Sequence, residues 1–121
     1  MPWRAALKTC QRYGAELASV HSDSENEWVA RWLNEGPADE QHSRWLGMRR
    51  DPKKSNKFEW SDGTPVDYEN WYEGEPNNMG KDENCVATMG KPKYGEPGRY
   101  QWNDSDCKRK YKFVCKLCEC P

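Results

Sequence analysis

The chain has 121 residues, 19 basic and 20 acidic side chains, a formal net charge of −1 and only 35% hydrophobic residues. That length carries one domain with one core. The near-neutral balance gives no support to nucleic acid as a partner, and no apolar run is long enough to cross a bilayer. The apolar content is concentrated in rings, 7 Trp, 6 Tyr and 2 Phe, each of which buries a large area. The 6 Cys predict an oxidising, extracellular compartment and a disulfide framework, and leave the pairing open. Zinc is the rival reading of Cys115, Cys118 and Cys120. It lacks a fourth ligand at paired spacing, and His21 and His42 are isolated. A secreted-type cysteine pattern with no leader-like apolar run after Met1 predicts that the natural start lies elsewhere.

Trp3, Leu7 and Cys10 share one face at helical spacing, with Pro2 before them and Gly14 beyond, and predict a first helix. Ser22 followed by Glu25 is a capping box. Trp28, Val29, Trp32 and Leu33 form the apolar stripe of a second helix, stopped by Gly36-Pro37. Both stripes read as core faces. Trp45-Leu46-Gly47-Met48 reads as a buried strand. Phe58 and Trp60 alternate with polar neighbours before a turn at Ser61-Asp62-Gly63. Residues 85–89, 100–102 and 111–116 read as further strands. Residues 64–84 form a long irregular stretch rich in Pro, Gly, Asn and acids. Such stretches carry function or are disordered, and Trp71 and Tyr72 argue for an anchored one. Two helices followed by short strands give an α+β class.

Two segments concentrate oxygen donors. One is Glu75-Pro76-Asn77-Asn78 with Asp82-Glu83-Asn84, just before Cys85; the other is Trp102-Asn103-Asp104, shortly before Cys107. A bond between Cys85 and Cys107 would draw Glu75, Asn77, Glu83, Asn103 and Asp104 to one locus. Three carboxylates and two amide carbonyls suit Ca²⁺, which takes six to eight oxygen ligands at flexible geometry, better than Mg²⁺ or a soft metal. The competing reading is an ordinary polar loop, since these are common turn residues. Asn103-Asp104-Ser105 is also a glycosylation sequon, read as fortuitous because it includes a proposed ligand. Two basic stretches, one with Arg49, Arg50, Lys53, Lys54 and Lys57 and one with Lys108, Arg109, Lys110 and Lys112, read as solvated charge, with a sulfated polysaccharide patch as the sharper alternative. Two isolated His and no nucleophile, zincin or phosphate-loop motif argue against an enzyme.

Six landmarks in order carry a resemblance: Trp3/Ala6/Cys10, Gly14-Ala15-Glu16-Leu17-Ala18, Trp45-Leu46-Gly47-Met48, Glu75-Pro76-Asn77, Trp102-Asn103-Asp104, and Cys85, Cys107 and Cys115. Together they resemble the carbohydrate-recognition domain of C-type lectins, and the C-terminal part is similar to the layilin and chondrolectin group. The resemblance implies a C-type lectin-like fold over residues 1–117, two helices on small antiparallel sheets with a long Ca²⁺-binding loop, followed by a short Cys-containing tail at 118–121. It implies disulfides Cys10–Cys115 and Cys85–Cys107 and a cis bond before Pro76.

The resemblance also implies a ligand set. Glu75, Asn77, Glu83, Asn103 and Asp104 would hold Ca²⁺. Glu75, Asn77, Glu83 and Asn103 would hydrogen-bond the sugar. The Glu-Pro-Asn motif goes with equatorial 3- and 4-hydroxyls, as in mannose, N-acetylglucosamine, fucose or glucose. The ligands of a second ion would align near Arg50, Lys54, Asn78 and Asn84, two cations and two amides, so a single Ca²⁺ is expected. Relatives that bind proteins keep a protein-binding role open, beside the polyanion one. Almost nothing precedes Trp3 where the family has a first strand, which predicts an open edge around residues 113–115. Cys118 and Cys120 have no partners in the pattern and are left for a missing N-terminal segment or for a disulfide-linked oligomer.

Overall fold

The structure is a computed structural model and describes residues 1–33, 43–72, 75–76, 83–88 and 101–117, with the side chains of 30–33 and 54–56 outside that description. Helix α1 spans Trp3–Arg12 and buries Trp3, Ala6 and Cys10. Leu7 is only half-buried beside them. The amides of Tyr13 and Gly14 turn back to the carbonyls of Cys10 and Gln11, 3.0 Å each. Gly14 has φ +74°, the left-handed conformation in which glycine ends helices at least cost. Strand β1, Ala15–Leu17, follows at once; three residues are too few for periodicity to reveal.

Helix α2 spans Asp23–Leu33. The Ser22 hydroxyl accepts the Glu25 amide at 3.1 Å. The Glu25 carboxylate accepts the amide of His21, one residue before the cap, at 3.0 Å. The buried face runs through Asn26 and Val29, each 3% exposed. Trp28 is 50% exposed and does not belong to the core, in contrast to the expected stripe. Adjacent helical residues diverge by about 100°, so Val29 and Trp28 cannot both face inward fully. The side chains of Trp32 and Leu33, and Gly36-Pro37, lie outside the described residues.

Strands β2 (Arg44–Asp51), β3 (Lys54–Trp60), β4 (Cys85–Thr88) and β5 (Trp102–Ser105) form an antiparallel sheet in the order β3-β2-β4-β5. Strand β6, Lys112–Phe113, adds to β2 in parallel, a departure from the all-antiparallel expectation. Strand β7, Cys115–Leu117, pairs with β1. Two expected strands change. Residues 100–102 were expected as a strand, but β5 starts at Trp102 and runs on to Ser105, because its partners are Thr88 back to Cys85; Met89 and Tyr100 lie outside the described residues. The expected strand at 111–116 breaks at Val114 into two pieces in different sheets. Each piece has one partner, Phe113 with Trp45 and Cys115 with Leu17, so among the described residues β7 keeps its second edge open, as expected, though 113–115 is not one continuous strand.

Alternation on β2 and β4 builds two cores. Trp45, Cys85 and Ala87 face α1 with Trp3, Ala6, Cys10 and Leu17. Leu46, Met48 and Val86 face the other way with Val20, Val29, Trp60 and Trp102. The sheet is therefore covered on both sides, which explains the near-continuous apolar run at Trp45–Met48. Gly47 interrupts it where β1 crosses: a Cβ there would lie 2.6 Å from the Leu17 carbonyl oxygen. Disulfides close Cys10–Cys115, across 105 residues, and Cys85–Cys107, across 22.

Candidate metal and ligand site

Trp102 positions the site. Its indole N–H donates to the Asn26 side chain at 3.0 Å in the buried interior. Trp60, Tyr68 and Trp71 meet it edge-on, with centroids 5.7, 5.8 and 5.9 Å away, a favoured aromatic geometry. Its backbone bonds Asn70 and Tyr72 at 2.8 Å each. Residues 70–72 of the irregular stretch are thereby fixed beside β5, and the Glu75 amide donates to the Tyr72 carbonyl at 2.8 Å. The Glu75-Pro76 bond is cis.

Asp104 follows two residues after Trp102 on the same face of β5, opposite Val86, and its side chain is fully buried. An Nη atom of Arg50 donates to its carboxylate at 2.7 Å and to the Glu83 carbonyl at 3.1 Å. The guanidinium lies 4.6 Å over the ring of Phe58, its cross-strand partner, and Arg50 is 9% exposed in its side chain. The Arg50 backbone amide also donates to the Asn84 carbonyl at 2.7 Å. Arg50 thus clamps β5 and the segment before β4 to β2.

Glu75 completes the acidic locus. Its carboxyl is pushed up to about 7 by burial first, then by a hydrogen bond with Asp104 and by the negative charges of Asp104 and Glu83. Glu75 and Asp104 therefore meet, with Glu83 near enough to be felt. Among the described residues, no three His, Cys, Asp or Glu converge into a ready metal cluster. Asn103 points away from the buried face of β5, and its amide donates to Ser105 at 3.3 Å. Asn77, Asn78 and Asp82 lie outside the described residues, as do His42, Cys118, Cys120 and the side chain of Lys54. Arg50 is the member that sequence reasoning missed. It appeared in a basic stretch and as a charge that would repel a second ion; its place over Phe58, facing Asp104, depends on the β2–β3 register, which the sequence does not display.

The donor set fits a hard cation. A half-buried carboxyl against a buried one favours a shared proton unless enough positive charge is supplied to both. Oxygen donors at flexible spacing are what Ca²⁺ accepts.

The family model described as the lectin C-type domain matches residues 1–117. The chain belongs to the C-type lectin domain family. A C-type lectin mannose-binding isoform of Oxyuranus scutellatus is 33% identical over 116 residues, covering 94% of this chain and 69% of that protein. The crystallised C-type carbohydrate-recognition domain of cow CD23, studied in the presence of a GlcNAc2Man3 oligosaccharide, is 33% identical with a TM-score of 0.77, covering 99% of this chain and 83% of that one. A calcium-independent type II antifreeze protein is 26% identical with a TM-score of 0.75, covering 95% and 77%. C-type lectins are in general non-enzymatic carbohydrate-binding proteins, and this domain is a binding module and not an enzyme. None of its described helices is long and apolar enough to cross a membrane.

Proposed function

We propose that this chain is an extracellular, calcium-dependent carbohydrate-binding domain over residues 1–117, with 118–121 as a tail. A single Ca²⁺ is held by Glu75, Asn77, Glu83, Asn103 and Asp104. The observation that supports this reading is the contact of Glu75 with the buried Asp104, with Glu83 beside them, three carboxyls facing one guanidinium and offering the oxygen donors that a hard cation takes. When bound, the ion supplies open coordination positions for two neighbouring sugar hydroxyls. Around it Glu75 and Glu83 accept from those hydroxyls, while Asn77 and Asn103 donate through their amides. In the family that this chain belongs to, the Glu-Pro-Asn order of that acceptor and donor goes with glycans bearing equatorial 3- and 4-hydroxyls: mannose, N-acetylglucosamine or fucose. The mannose-binding relative and the CD23 domain studied with a mannose oligosaccharide support the same class.

A single sugar makes few contacts, so monovalent affinity is on the order of 1 mM, roughly −4 kcal/mol. Useful avidity then needs several domains together, and Cys118 or Cys120 offers an interchain link. The test is retention of a clustered form on mannose-agarose in Ca²⁺, followed by release with chelator. Flow-through of the clustered form in Ca²⁺ rejects the reading.

A second reading has its own support. Arg50 already gives Asp104 a cation at 2.7 Å, and one relative is calcium-independent by name. A calcium-independent binder would be retained by its ligand equally in Ca²⁺ and in chelator.

A further inference from the structure

Arg49 from one basic stretch and Lys108 from the other meet Arg4 of α1 at a place distinct from the acidic locus. Arg4 on α1, Arg49 and Arg50 on β2, and Lys108 after β5 line a cavity of about 580 Å³ whose one acidic residue is Asp51. None of Glu75, Glu83, Asn103 or Asp104 lines it. The volume falls within the roughly 300–1,000 Å³ of small-ligand sites.

The walls are rigid. The Cys85–Cys107 disulfide lies in the lining and ties the Lys108 turn to β4. The Trp3 amide donates to the Cys107 carbonyl at 2.9 Å, and its indole N–H donates to the Leu46 carbonyl at 2.8 Å. The Lys108 amide is fixed on Asp106 at 2.9 Å.

The cations are committed to different degrees. The Arg50 guanidinium turns to the other face of β2, over Phe58 to Asp104 and the Glu83 carbonyl, and is not counted among the cations offered to a ligand here. Arg49 pairs with Glu59 through Nε at 3.0 Å, and its guanidinium lies 5.8 Å over Trp3. Arg4 and Lys108 are exposed, and no ion pair holds either side chain among the described residues. The start of α1 opens here as well, with Pro2 and Arg4 in the lining and no acidic residue in the first turn. The positive end of the helix dipole therefore adds to the same field.

We propose that this cavity is a second, calcium-independent site for a sulfated saccharide. Cations on three separate elements match several anionic groups spaced along one ligand better than they match a single small ion. Sulfates on a sugar chain supply that spacing and stay ionised at every physiological pH. The exposed rings of Pro2 and Pro52 offer the C–H faces of a pyranose an apolar rim.

The test is calorimetric titration of the chain with a heparin-derived hexasaccharide at low salt in chelator, which separates it from the Ca²⁺ reading. Saturable binding that weakens as salt rises is expected. Arg4→Ala with Lys108→Ala should weaken it roughly tenfold, about 1.4 kcal/mol. Lys53→Ala with Lys110→Ala removes equal charge from the two basic stretches outside the cavity lining, and should change binding by no more than roughly twofold. Circular dichroism of both variants checks the fold. Three outcomes would each overturn the proposal: no saturable binding, equal losses in the two variants, or equal binding of the fully desulfated hexasaccharide. Competition by inorganic sulfate at matched charge, as strong as by the hexasaccharide, would reduce the cavity to a simple anion site and overturn it too.

Discussion

Asp104 is buried with a guanidinium at 2.7 Å and a second carboxyl against it, so its surroundings are set by charge. Replacing Arg50 by Met keeps the length and removes the cation facing Asp104. Breaking a buried pair from one side costs about 3–5 kcal/mol. Thermal melting in chelator should fall accordingly, and saturating Ca²⁺ should restore much of the loss by supplying positive charge at the same carboxylates. An unchanged melt in chelator would mean that Arg50 is not the counter-charge. Glu75 gives the matching pH dependence. Its carboxyl holds a proton more tightly in the folded chain, at about 7, than its ordinary value of 4.5. Stability from that proton is fully present below about 4.5 and is lost as pH rises through about 7. Melts in chelator should therefore decline from pH 5 to pH 8. The stabilisation by Ca²⁺ should grow over the same range, because the ion needs the ionised form. Parallel pH curves with and without Ca²⁺ would contradict this.

At the scale of elements, β2 organises the molecule, and Gly47 is where another strand passes closest. Gly47→Ala sets a methyl carbon 2.6 Å from a backbone oxygen of β1, which a side-chain rotation cannot relieve. A loss of about 1–3 kcal/mol in urea unfolding is expected, and an unshifted midpoint would show that β1 moves freely. The helices and β2 to β4 were legible from caps, glycines and alternation, which are local signals. Trp28 misled because its neighbour Val29 carries the buried face, a choice made by Asn26 reaching Trp102 from another element. The start of β5 and the break at Val114 were invisible for the same reason: each is set by a partner distant in sequence, Thr88 for one and the Ala18 amide on Val114 for the other. The nearness of Glu75, Glu83 and Asp104 to one another could be read from their spacing before cysteines. Arg50 could not, because only the β2–β3 register turns it toward Asp104 over Phe58.

Across the whole molecule, one sheet covered on both faces stands between the two proposed sites, one acidic and one basic. The acidic one is built at the end of β5 and the loop that Trp102 holds. The basic one opens between α1, β2 and the Cys85–Cys107 disulfide. A chain with near-zero net charge can thus present two strong local fields. The family fold explains the scaffold, and function lies in which side chains these two places carry. The central claim concerns the acidic site. Its most direct test is calorimetric titration of Ca²⁺ into the chelator-stripped chain near neutral pH. One saturable site with release of protons on binding is the predicted result. The absence of saturable binding, or saturation at two ions per chain, would contradict it.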